Sequence, residues 1–134
     1  MSTIFTKIIN REIPGQFIYE DDKCVVIMDK FPVVEGQSMV ISKVEVDYVF
    51  DLDDDLYAHM FAVAKKVAEA TDKAFGTERT CLVVEGFEVP HVHIKLYPIK
   101  TVGEMTSLAS LVSKRHEETN EILAKQAAQI KAAL

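Results

Sequence analysis

A chain of 134 residues, 49% of them apolar, is long enough to form one compact domain with its own core. Its net charge of −6 argues against nucleic acid or a membrane surface as the main partner. No apolar run approaches the roughly 18 residues that would span a bilayer, and the start MSTIFTKIINREIPG does not read as a signal peptide.

Residues 3–11 place Phe5, Ile8 and Ile9 at helical spacing, and the Ile13-Pro14-Gly15 turn ends that helix. QFIYED and KCVVIMDK then read as strands joined by a short acidic turn. FPVVEG is a loop and QSMVISK a third strand. Cys24, here, and Cys81, further on, sit inside strand-like runs and read as buried thiols in a reducing cytoplasm. The acidic run from Asp51 to Asp55 suits a helix N-terminus, where negative charge meets the positive end of the helix dipole. From Leu56 to Phe75 the pattern is helical, with Leu56, Met60, Val63, Val67 and Ala70 along one stripe, and Gly76 stops it. TCLVVEG and HVHIKLYPI are two more strands. Residues 103–134 read as one long amphipathic helix with Leu108, Leu111, Val112, Ile122 and Ile130 as contacts. The chain is thus a single domain of α+β class with a mainly antiparallel sheet: a core over 1–102 and a C-terminal helix over 103–134.

Two of the four histidines fall in EVPHVHIKLYP. In a strand that starts near Pro90, His91, His93, Lys95 and Tyr97 share one face, and Val92, Ile94 and Leu96 point into the core. Three readings of that polar face stand side by side. It is an ordinary solvated strand surface; or a metal site, although no Cys or acidic cluster with ligand spacing lies nearby; or a phosphate site, with a neutral histidine as nucleophile and its neighbours holding phosphoryl oxygens.

The stretch His91-Val92-His93-Ile94-Lys95-Leu96-Tyr97 resembles the signature of the histidine triad (HIT) family, with lysine in place of the third histidine. The resemblance extends through TIFTKIINREIPGQFIYEDDKCVVIMDKFPVVEGQSMVISK and covers about residues 3–100. It implies a HIT-like fold with a five-stranded sheet and two main helices, paired as a homodimer, with the stripe from Leu56 to Ala70 as part of the seam. It implies a purine nucleotide, or a conjugate of one such as a phosphoramidate or dinucleoside polyphosphate, as the ligand. The expected reaction is attack of the middle histidine, His93, on the α-phosphorus, with a nucleotidyl-histidine intermediate that water resolves. His91 and Lys95 complete the catalytic set. Asp29 takes the ribose, with Lys30 beside it, and Phe5, Ile8, Ile13 and Met28 line the base.

The chain departs from the family pattern at several points. Lys95 either clamps phosphate as a point charge or turns to solvent. Gln37 replaces a family histidine and keeps a hydrogen-bond donor for phosphate. The loop VVEGFEVPH is short: Val84 stands near the family asparagine, and Phe87 and Glu88 replace the phosphate-contacting pair. Glu88 there repels phosphate, points away, or donates a proton to the leaving group. Thr3, Thr6 and Glu45 occupy positions that hold zinc in many bacterial-type members, so neither a structural zinc nor another cofactor is expected. Three functions follow: a HIT-type nucleotide hydrolase or nucleotidyl transferase, a nucleotide-binding module with little turnover, or a dimeric scaffold that has lost the pocket.

Overall fold

The computed structural model describes residues 2–104 and 113–134. Thr3 opens the first helix, α1 (Ile4–Ile9). Its Oγ1 accepts the Thr6 N–H, one of the donors that a helix N-terminus leaves unpaired. Five strands follow along the chain: β1 (Phe17–Glu20), β2 (Cys24–Met28), β3 (Ser38–Ser42), β4 (Arg79–Val83) and β5 (His93–Ile99). They form one antiparallel sheet in the order β1-β2-β3-β5-β4. Asp21 makes the β1–β2 connection, its Oδ1 accepting from the main-chain N–H groups of Lys23 and Cys24.

The long helix α2 (Asp54–Phe75) starts at Asp53, whose side chain accepts the Leu56 N–H, and carries Asp54 and Asp55 in its first turn. It ends at Gly76, which adopts φ 64°, a left-handed conformation that glycine takes without a Cβ clash. Helix α3 (Asn120–Ala133) is capped by Thr119 in the same manner as α1. Helix α2 lies over β3, β5 and β4, and α3 over β1 and β2. On that side of the sheet Val26, Val40, Ile94 and Leu96 pack against Met60, Val67, Leu123 and Ile130. Each large side chain fully buried there contributes about 1.5–3 kcal/mol. The opposite side of β2 and β3 is also covered: Val25, Ile27, Met39 and Ile41 pack with Phe5 of α1. Both faces being buried, these strands read in sequence as continuous apolar runs.

The structure corrects three expectations. The stripe of Leu56, Met60, Val63, Val67 and Ala70 is buried in the chain's own core and is not available as a seam between copies. The C-terminal region is not one helix from residue 103. Val102–Glu104 form a 3₁₀ turn and residues 115–119 are not helical; Leu108, Leu111 and Val112 lie outside the described residues. The physical reason is that residues 115–119 use their main chain elsewhere. His116 N–H donates to the Pro32 carbonyl and Glu118 N–H to the Lys30 carbonyl, so these donors are satisfied without a helix. Of the expected contacts in α3, Ile130 is buried and Ile122 is exposed. Third, β5 begins at His93 rather than His91. His91 N–H turns back to the Val89 carbonyl and Val92 N–H pairs with the Val46 carbonyl, so the chain bends before the strand. No helix among the described residues is long and apolar enough to cross a membrane.

Candidate active site

Beyond that bend, β5 alternates as expected. Val92, Ile94 and Leu96 enter the helix-side core, while His93, Lys95 and Tyr97 line a cavity of about 420 Å³ on the α1 side. That volume suits a small-molecule ligand. Register sets the neighbours: His93 lies opposite Ile41, and Lys95 opposite Met39.

One end of the cavity is apolar, walled by Phe5, Ile8, Ile27 and Met39. Gly15 closes this wall; a Cβ there would lie 2.6 Å from Ile8 Cγ2, so only glycine lets the turn approach α1. Of the other expected base-lining residues, one lines the cavity and one does not. Ile13 is not among the cavity residues; its neighbours Pro14 and Gly15 are. Met28 lines the cavity and also packs with the helix-side core, while its neighbour Ile27 belongs to the cluster on the α1 side.

Asp29 stands at the end of β2, nearly buried. Its Oδ1 accepts the Phe31 N–H at 2.9 Å and its Oδ2 accepts the Gln37 side-chain amide at 2.7 Å. Each carboxylate oxygen keeps a lone pair for a further donor. The Gln37 Oε1 in turn accepts the Val33 N–H at 2.8 Å. One of its amide N–H groups thus orients Asp29. Lys30 is likewise engaged, its Nζ donating to the Glu118 carbonyl and Asn120 Oδ1. It fastens the C-terminal segment to the cavity wall.

The two histidines do different things. His91 is fully buried and does not line the cavity. Its Nε2 lies 2.6 Å from the Ser42 carbonyl, which can only accept, so Nε2 carries the proton. Its Nδ1, 2.6 Å from Thr3 Oγ1, is then the acceptor. His91's carbonyl accepts from His93 Nδ1 at 2.7 Å. That bond puts the His93 proton on Nδ1 and leaves the Nε2 lone pair available at the cavity wall. Phe5 packs edge-on against both rings, at 4.8 Å from His93 and 5.7 Å from His91. Burial lowers the His93 pKa, opposed by the bond to the His91 carbonyl and reinforced by Lys95. The ring thus stays neutral, as a nucleophile requires.

Lys95 pairs with Glu85 at 3.3 Å rather than turning to solvent. Glu85 also accepts the Phe87 N–H. Burial raises the Glu85 pKa, but the Phe87 N–H and Lys95 outweigh it and hold the carboxyl below its ordinary value. Sequence reasoning missed Glu85. The signal lies in the pairing of Val83 with Lys95, which puts a residue just past the end of β4 within reach of the lysine. It also missed Arg115, which bonds both oxygens of Glu88 at 3.1 Å across the cavity mouth. Glu88 is thereby paired within the protein, with Phe87 exposed beside it.

Away from the cavity, on the helix side of the sheet, Asp21, Cys24 and His59 bring potential metal-ligating atoms within 4.8 Å of one another. Asp21 accepts from Tyr19 OH and pairs with His59 at 2.6 Å. Burial and the neighbouring Asp21 push the Cys24 thiol up to about 12, in keeping with an inert buried cysteine.

The HIT domain model matches residues 10–131. The chain belongs to the HIT domain family. It is 31% identical to the adenylylsulfatase HINT3 of Arabidopsis thaliana over 72% of this chain and 52% of that protein. A Hit-like protein involved in cell-cycle regulation from Bartonella henselae superposes with a TM-score of 0.88 at 29% identity, covering 99% of this chain and 96% of that one. A hypothetical histidine triad nucleotide-binding protein from Sulfolobus tokodaii gives 0.81 at 27% identity, covering 96% and 89%.

Proposed function

We propose that the cavity binds a purine nucleotide conjugate and that His93 cleaves it at the α-phosphorus. The observation that carries this reading is the fixed tautomer of His93, with Nδ1–H on the His91 carbonyl and Nε2 directed to a cavity that also presents Asp29. The base occupies the apolar end beside Phe5 and Ile8, and the ribose hydroxyls donate to Asp29. Nε2 attacks phosphorus, and the bond to the leaving group breaks with its electron pair on that group, which takes a proton from solvent. Water then attacks the nucleotidyl-histidine, releases the nucleoside monophosphate and restores neutral His93. Lys95 stabilises the charge that builds on the non-bridging oxygens. A mass increase of one AMP on the protein after mixing with an adenosine phosphoramidate is the expected result, and its loss in His93→Ala identifies the nucleophile. A parent protein that never carries the adduct overturns the reading.

A second reading, a nucleotide-binding module with little turnover, draws on two contacts. Gln37 faces Asp29 and Lys95 is paired with Glu85, so fewer donors face a phosphate. Tight AMP binding without phosphoramidate hydrolysis favours it.

The proposal includes pairing with a second copy of the chain. β4 is an edge strand with Leu82 exposed. From the segment before α2 onto its first turns runs a row of aromatic rings, Tyr48, Phe50, Tyr57 and Phe61, spaced 4.8–6.4 Å apart, with Phe50 67% exposed. Covering an edge and an apolar row together is what a dimer interface does. Light scattering at micromolar concentration should give twice the chain mass, falling to one in Phe50→Asp.

A further inference from the structure

His93 is oriented through His91, and His91 is itself held by a chain of bonds that begins at the protein surface. Glu45, in the segment after β3, accepts the Thr3 N–H at 2.8 Å and the Thr6 hydroxyl at 2.5 Å through the same oxygen, Oε1. Thr3 is the residue that caps α1, and its hydroxyl oxygen accepts the Thr6 N–H. That hydroxyl has one proton to give, and His91 Nδ1 at 2.6 Å is by far the nearer of its two possible acceptors; Thr6 Oγ1 is 3.5 Å away. On the far side of the ring the Ser42 carbonyl accepts a hydrogen bond from Nε2–H. A neutral imidazole with an acceptor on one side and a donor on the other has only one tautomer and one ring orientation that satisfy both. Because His91 is completely buried, the reversed state would leave an unmatched polar pair without water to repair it.

We infer that Thr3 and Glu45 are positioning residues for His93: they fix His91, and through its carbonyl the tautomer of the ring at the cavity. Neither residue lines the cavity, so neither touches a ligand there directly. The same contacts explain why α1 sits where it does, since its first residues are tied to Glu45 while its Phe5 ring packs on both histidines. The carbonyl that serves His93 belongs to a residue outside β5, in the bend that precedes it. The peptide that carries it is held through the Val92 N–H on the Val46 carbonyl, and the side-chain bonds to His91 anchor the residue from its other side.

The inference rests on His93 as nucleophile for its kinetic consequence but not for its structural one, and two readouts separate them. The first is long-range nitrogen–proton NMR of the imidazole rings. The parent should show His91 protonated on Nε2 and His93 on Nδ1. Thr3→Val, which keeps the side-chain shape and removes the hydroxyl, should shift the His91 Nδ1 resonance and mix the tautomers of His93. Thr3→Ser should restore the parent spectrum. The second readout is the single-turnover rate of AMP transfer from an adenosine phosphoramidate to the protein. It should fall about 10- to 100-fold in Thr3→Val, the range typical of a lost outer bond that orients a reactive imidazole. Glu45→Ala should lie between Thr3→Val and the parent, with AMP affinity changed by no more than about threefold in each variant, well under one order of magnitude in Kd. Parent-like histidine spectra in Thr3→Val overturn the inference whatever the rate does. A parent that forms no adduct while Thr3→Val still scrambles the tautomer overturns the proposed reaction and leaves the positioning device standing. Equal losses of rate and of AMP affinity would mean that the substitutions merely loosen α1, and would also overturn it.

Discussion

The residues two before and two after His93 are held in opposite ways. His91 is sealed from solvent, and both ring nitrogens sit at 2.6 Å from fixed partners. Lys95 is joined to a single carboxylate, that of Glu85, at 3.3 Å, and both members of that pair keep some contact with water. A fully bonded buried group resists rearrangement because each broken bond strands a desolvated partner. A long, partly solvated ion pair is worth about 0–1 kcal/mol and exchanges readily for another anion. In the proposed reaction one neighbour therefore presets the nucleophile, while the other is free to transfer its charge to an arriving phosphate.

The largest expected effect tests the point that both neighbours serve. His93→Ala should abolish the covalent adduct while AMP affinity stays within about tenfold, since a nucleophile is not chiefly a binding group. Adduct formation on another residue, seen by peptide mapping, would break the comparison at its centre. Next comes Lys95→Ala, expected to slow adduct formation by roughly 10²–10³, the range for one lost transition-state donor. Lys95→His should keep or raise the rate, and a rate unchanged by Lys95→Ala would mean that the lysine never leaves Glu85.

Asp29→Asn should weaken AMP binding about tenfold or more, the loss of a charge-assisted acceptor worth roughly 1.5–3 kcal/mol. Isothermal calorimetry measures it, and an unchanged Kd would place the ribose elsewhere. The smallest effects are shifts in titration. Lys95 lowers the His93 pKa and Glu85 raises it. Lys95→Ala should thus move the His93 titration upward in NMR, and Glu85→Gln should move it downward. Since folded His93 titrates below the ordinary value of about 6.5, the unfolded chain binds the proton more readily. This residue therefore costs stability as pH falls through about 6.5, a loss absent from His93→Ala in acid denaturation.

The sequence by itself determined the order of the elements, since each start and stop is local chemistry. Asp53 caps a helix, Gly76 adopts the left-handed turn that ends it, and strand alternation puts Ile94 and Leu96 opposite Lys95 and Tyr97. It also singled out His93 and Asp29, because their residue types sit in a short motif that resembles a family. Only the tertiary structure decided which atoms those residues meet. The β5–β4 register set Glu85 against Lys95. The bend after Pro90 took His91 out of the cavity, and main-chain bonds to Lys30 and Pro32 broke the C-terminal helix, so that Arg115 came to face Glu88. The physical reason is one of range. Periodicity and capping act within a few residues, whereas Thr3 and His91 bond across 88 positions and Gln37 is drawn to Asp29 by the closing of a loop. Contacts of that kind depend on packing between elements, which no local pattern encodes.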